Sequence, residues 1–217
     1  MNTKSGIVVL ISGSGSNLQA IINQVQQGEI DGEIRAVISN KADAFGLERA
    51  RMAGIPAIIL DHKVFPSRQD FDQALARTIE AFLPDVIVMA GFMRILTSEF
   101  VEQFSGRLIN IHPALLPKYK GLDTHQRALD AAETEHGCTV HFVTPELDDG
   151  PNIVQAVVSI SKDDDAKSLS VKVQQQEHII YPLAVKWFTE KRLKMIDGRA
   201  YFDDQILQAS GKIVDAR

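Results

Sequence analysis

The chain has 217 residues, 45% of them hydrophobic and 24% charged, with a formal net charge of −5. That balance fits a soluble globular protein with one substantial core and disfavours a nucleic-acid-binding face, since Lys118 and Lys120 are too few to make a basic patch. Cys138 is the only cysteine, which excludes an intramolecular disulfide and a cysteine-rich zinc site; no stretch approaches a membrane span, so a reducing, cytoplasmic setting is the expectation.

Residues 6–11 form a continuous apolar run with β-branched side chains, the mark of a strand buried on both faces. Ser12-Gly13-Ser14-Gly15-Ser16-Asn17 follows at once, and an amphipathic run begins with Leu18, Ile21 and Ile22. Strand, glycine-rich turn and helix is the geometry that aims backbone N–H groups at an anion. Residues 33–39 read as a second strand, 43–53 as a helix ended near Gly54, and 56–60 as a third strand. A helix over 68–82 stops before Pro84, and 85–90 is a fourth buried strand leading into Gly91-Phe92-Met93-Arg94-Ile95-Leu96. A short helix over 98–103 precedes a strand that ends at His112. Beyond it the pattern predicts a helix over 124–133, a strand over 138–144, a polar loop over 145–151 and a strand over 153–161. Asp163-Asp164-Asp165 suits a solvated helix start, and 168–190 is the longest helix, with Ile180, Leu183, Ala184 and Trp187 at core spacing. Asp197-Gly198, between 193–196 and 199–202, is a two-residue hairpin signal. The alternation predicts an α/β fold with a mostly parallel sheet of about seven strands, in a single domain over 1–217.

Asn110 and His112 sit two apart at a strand end, so their side chains face one space, and Pro113 blocks further pairing. An amide can donate to a developing oxyanion and an imidazole can move a proton near neutral pH; the plainer reading is a strand end that satisfies loop backbone groups. Asp148 lies in an acidic, glycine-bearing loop that suits an ordinary turn. If that loop folds back over the strand end, its carboxylate would favour the imidazolium of His112. The turn at Gly15, Ser16 and Asn17 lacks the third glycine of a dinucleotide fingerprint, and the second strand ends in Ser39-Asn40-Lys41, with nothing acidic there to hold a ribose diol. It suits one phosphate group. His112, His136 and His141 lack metal-ligand spacing, so no metal is expected, and Cys138 reads as a small buried hydrophobe.

The combination of Ser12–Asn17, Gly91–Leu96, Asn110-Ile111-His112-Pro113-Ala114-Leu115-Leu116-Pro117 and Leu147-Asp148-Asp149-Gly150 resembles the phosphoribosylglycinamide formyltransferases of purine synthesis. The likeness runs from the first strand through the long helix and includes 39–43 and Gln176-Glu177-His178. It implies a three-layer α/β/α, Rossmann-like formyltransferase fold, with a phosphate-binding N-terminal half and a folate loop and long helix in the C-terminal half. It also implies formyl transfer from 10-formyltetrahydrofolate, the co-substrate, to the amine of glycinamide ribonucleotide, without a metal. By this resemblance Gly15, Ser16 and Asn17 hold the substrate phosphate, and Gln174 and Glu177 contact the ribose side. Arg68, Met93, Arg94, Ile95 and Leu96 bind the folate, with Thr144, Pro145, Glu146, Leu147 and Asp148 closing over its pterin. Asn110 bonds the formyl oxygen, and His112, kept protonated by Asp148, stabilises the tetrahedral intermediate.

Four positions depart from the family pattern: Ala114 stands for a usual Ser, Asp149 for Gly, Pro145 for an acidic residue and Asp123 for His. The charge of Asp149 is expected to compete with Asp148 or to alter closure of the loop. The alternatives are a formyltetrahydrofolate hydrolase, which usually carries an extra N-terminal domain, and a non-catalytic folate- or phosphate-binding module. A methionyl-tRNA formyltransferase would bring a C-terminal domain and a basic surface. The expected partners are small molecules, with no nucleic acid or membrane, for a monomer or weak homodimer.

Overall fold

The computed structural model describes residues 4–217. One sheet of eight strands organises the chain, in the order β11-β7-β6-β5-β4-β1-β2-β3. Its central strands are β1 (Ser5–Ile11), β4 (Val86–Met89) and β5 (Leu108–His112); β2 (Gly32–Ser39) and β3 (Ala57–Ile59) continue one side. On the other side lie β6 (Glu135–Phe142), β7 (Asn152–Ser159) and β11 (Lys212–Asp215). Only β6 runs against its neighbours, antiparallel to both β5 and β7; the remaining pairings are parallel.

The period of two along β1 divides the core into two halves. Ile7, Val9 and Ile11 face α1 (Ser16–Gln26), α2 (Phe45–Met52) and α6 (Ala166–Thr189), whereas Val8 and Leu10 face α3 (Arg68–Glu80) and α4 (Ser98–Gln103). Burial on both faces is why these strands carry unbroken apolar runs. The helices start where the sequence supplies caps: Ser67 accepts from Asp70 N–H, Thr97 from Phe100 N–H, and Asp165 forms a capping box with Ser168. The last of these gives the Asp163–Asp165 run its use, with Asp164 paired to Lys172 at 2.5 Å.

Three details differ from the sequence expectation. The main sheet has eight strands rather than about seven, because β11 adds in parallel to β7. Its run Lys212-Ile213-Val214-Asp215 has only two apolar residues, and pairing with an existing edge supplies what propensity does not. A second sheet of three strands, β8 (Leu193–Ile196), β9 (Arg199–Phe202) and β10 (Gln205–Ile206), extends the expected hairpin. It is pinned by Trp187 packing edge-on to Phe202 at 4.8 Å between ring centroids. The helix expected over 124–133 ends sooner, as α5 (Thr124–Asp130), where Ala132 takes a left-handed backbone.

The chain runs β1 to β3 in one direction and then returns to lay β4 on the far side of β1. That reversal of strand order leaves a crevice beyond the carboxyl ends of β1 and β4, the usual ligand position in an open parallel sheet. The turn after β1, the 91–96 segment after β4 and His112 at the end of β5 all emerge there.

Candidate active site

At the end of β5 the structure brings together the amide, imidazole and carboxylate expected from the sequence. His112 is buried at 5% exposure, and its Nδ1 lies 3.4 Å from Asp148 Oδ2. Its Nε2 lies 2.9 Å from the Tyr119 carbonyl oxygen. Both neighbours are acceptors, so an N–H on either ring nitrogen finds a partner. Asp148 sits at φ 49° and also accepts from the Gly121 N–H at 2.9 Å, which fixes the carboxylate between the loop and the imidazole. The 144–150 loop thus folds back over the strand end.

Asn110 is oriented by a residue to which the sequence reading assigned no role. His141, directly across from Asn110 on β6, donates from Nδ1 to the Phe142 carbonyl at 2.8 Å, leaving Nε2 as an acceptor for Asn110 Nδ2 at 3.3 Å. Burial, chiefly, lowers the His141 pKa to about 4, so the ring is neutral and holds this tautomer at physiological pH. One N–H of the Asn110 amide is then engaged, and the other remains for a substrate oxygen. The alternation Val140-His141-Phe142 was visible in the sequence, but the antiparallel register that sets His141 opposite Asn110 was not.

The floor of the site is a polar network. Thr139 Oγ1 donates to the Ala114 carbonyl at 2.6 Å and accepts from Leu116 N–H at 3.1 Å, and Gln155 Nε2 donates to the Leu116 carbonyl at 2.7 Å. These bonds tie the proline-bounded 113–117 segment to β6 and β7, and Thr124 Oγ1 donates to the Pro113 carbonyl at 2.6 Å. His125 and His136 pack edge-on at 5.2 Å behind this segment; burial pushes His136 down to about 4 and His125 down as well.

The glycine-rich turn joins a second group. Gly15 has φ 69°, and a Cβ there would come 2.6 Å from Gly46 Cα, so the turn admits only glycine against α2. Across the turn, Asn17 Nδ2 donates to Glu177 Oε2 at 2.8 Å and Gln174 Nε2 donates to Ser16 Oγ at 3.3 Å. Residues from α1 and α6, about 160 positions apart in the chain, so form one polar wall at a helix N-terminus that favours anions. Burial pushes the Glu177 carboxyl upward.

The remaining candidates line the 91–96 and 144–147 segments. Met93, Ile95 and Leu147 are exposed at 68%, 60% and 57%, large apolar side chains left facing solvent. The Met93 N–H donates to Ser12 Oγ at 2.8 Å, which ties this segment to the first turn. Arg94 stacks over the Phe71 ring at 4.7 Å, and Leu96 packs on the α3 side of the core. Thr144 is half-buried, whereas Pro145 and Glu146 are exposed. Arg68 is exposed in the first turn of α3. Among the described residues there is no group of three or more His, Cys, Asp or Glu arranged for a metal, and no helix long and apolar enough to cross a membrane.

Residues 5–185 match the formyl transferase family model. The chain is 54% identical over 209 residues to the phosphoribosylglycinamide formyltransferase of Escherichia coli, covering 96% of this chain and 99% of that protein. It is 44% identical over 183 residues to the human trifunctional purine biosynthetic protein adenosine-3, covering 84% of this chain and 18% of that one. A solved phosphoribosylglycinamide formyltransferase from Coxiella burnetii superposes with a TM-score of 0.94 at 53% identity, covering 97% of this chain and 99% of that one.

Proposed function

This chain belongs to the formyl transferase family, and from that premise we propose that it moves a formyl group from 10-formyltetrahydrofolate to the amine of 5-phosphoribosylglycinamide. The observation that carries this reading is the wall built by Gly15, Ser16 and Asn17 with Gln174 and Glu177, in the same strand-end crevice as Asn110, His112 and Asp148. A hydrolase needs no site for a phosphorylated ribose, because its acceptor is water.

In this reading the turn N–H groups hold the phosphate and the Glu177 carboxylate accepts from the ribose hydroxyls, which directs the amine toward Asn110. The exposed Met93, Ile95 and Leu147 cover the apolar faces of the folate, with Arg68 and Arg94 on its anionic side and Thr144 to Asp148 against the pterin. The neutral amine attacks the formyl carbon. As the C–N bond forms, charge gathers on the formyl oxygen, where the free N–H of Asn110 and the His112 imidazolium stabilise it. Asp148 keeps His112 in place. When the bond from carbon to the folate nitrogen breaks, that nitrogen takes up the proton that the amine has lost, with His112 assisting the transfer. Positioning of two bound molecules supplies much of the rate, and no covalent enzyme intermediate is needed.

The whole of 1–217 works as one formyltransferase unit, in the cytoplasm, as a monomer or weak homodimer. The test is formyl transfer itself: product formation that requires both substrates and disappears in His112→Ala supports the reading. Binding of both molecules with undiminished cellular effect in His112→Ala would favour a binding module instead.

A further inference from the structure

Two successive carboxylates of the 144–150 segment grip two successive residues of the 118–122 segment. Asp148 accepts the Gly121 N–H at 2.9 Å, and Asp149 pairs with the Lys120 ammonium. These same segments carry the two acceptors that flank His112, Asp148 Oδ2 and the Tyr119 carbonyl. Their backbones are left-handed at two non-glycine positions, Tyr119 at φ 56° and Asp148 at φ 49°. Such conformations persist only where the surroundings enforce them.

The 118–122 segment is well anchored from its far side. Tyr119 Oη donates to Glu133 at 2.9 Å, and Arg127 Nη1 donates to the Lys120 carbonyl at 2.7 Å. The opposing segment is exposed at 145–147 and 149, and its side-chain hold on 118–122 is Asp148 and Asp149. Without Lys120, moreover, Asp149 would set an unpaired negative charge beside Asp148.

Resting on the formyl-transfer reading of this site, we infer that Lys120 and Asp149 are a positioning pair, which latches one segment to the other and so sets the spacing of Asp148 and Tyr119 around His112. Asp149, which departs from the family pattern, is thereby given a partner rather than a quarrel with Asp148. With side-chain exposures of 36% and 52%, the pair lies where salt screens it.

The test compares Lys120→Met, Asp149→Asn, the double variant and the charge swap Lys120→Asp/Asp149→Lys in the full chain. Each single variant should lower kcat about two- to fivefold at low salt, the scale of a partly exposed ion pair. KM for the ribonucleotide should stay unchanged, the double variant should lose no more than either single, and the swap should recover part of the loss. Wild-type kcat should fall toward the variants' value as salt rises. Hydrogen exchange of the Gly121 amide, read without substrates, should quicken in both singles while Tm holds. Unchanged kcat in the singles, or additive losses in the double, overturns the positioning role. If wild type transfers no formyl group, the functional reading fails on that result, and Gly121 exchange alone decides the latch: protection equal to wild type in the singles refutes it.

Discussion

Replacing His141 by Phe keeps a ring of similar volume while removing both of its hydrogen bonds, so it separates the polar role of this side chain from its packing. In the folded chain burial lowers the imidazole to about 4, against about 6.5 when unfolded. As pH falls the unfolded state therefore takes up the proton first. The stabilisation is complete above pH 6.5 and drains away as pH drops to about 4. At about 1.4 kcal/mol for each pH unit of difference, wild type should lose roughly 2 to 3 kcal/mol through this ring between pH 7 and pH 4.5. His141→Phe should lack that share of the acid loss. At pH 7 it should pay about 1 to 3 kcal/mol for the Phe142 carbonyl and the Asn110 amide, both left without their partner. Its kcat should drop at least tenfold, with the ribonucleotide KM little changed, because a freely turning Asn110 no longer presents its second N–H. Urea unfolding at the two pH values, alongside steady-state kinetics, gives every quantity. Equal acid losses in variant and wild type would refute the tautomer argument, and wild-type kcat would refute the orienting role of His141.

Asp148→Asn should reduce kcat about 10²- to 10³-fold in initial-rate assays, the scale of a lost proton-handling group, and a fall of less than tenfold would remove the carboxylate from the mechanism. Glu177→Gln should raise the ribonucleotide KM about tenfold or more while leaving the folate KM alone. Because burial raises the Glu177 carboxyl, the folded chain holds that proton more tightly than the unfolded one, and stability falls as pH rises from about 4.5 through the folded value. The glutamine variant should accordingly be at least as stable as wild type at pH 8, which denaturant titration measures. Gly15→Ala should destabilise by about 1 to 3 kcal/mol and weaken ribonucleotide binding, since its Cβ meets α2 and its backbone stays left-handed; calorimetry and KM together check this.

The parallel core was legible because strands buried on both faces leave long apolar runs, as 6–11 and 85–90 do, and because glycine and proline mark their ends. The polar pair at the end of β5 was legible for the same kind of reason: Asn110 and His112 are polar where the strand is otherwise apolar. Asp148 was a conditional candidate, since only tertiary folding decides whether an acidic loop turns back over the sheet. His141, Thr139 and Gln155 were not legible as parts of the site. Their roles depend on β6 lying antiparallel to β5 in one register, and no local pattern encodes which residue faces which across two strands. The bridge from Asn17 to Glu177 joins the first helix to the last one, a contact that no periodicity announces. Strand β11 escaped because an added edge strand borrows its stability from the partner it joins.

The most direct measurement follows the ultraviolet change of a 10-formyl-folate donor mixed with purified protein, with and without glycinamide ribonucleotide and with no added metal. Deformylation that depends on the ribonucleotide, matched mole for mole by formylated product, is the expected result. Equal loss of the formyl group in both mixtures would make water the acceptor and contradict the transferase reading.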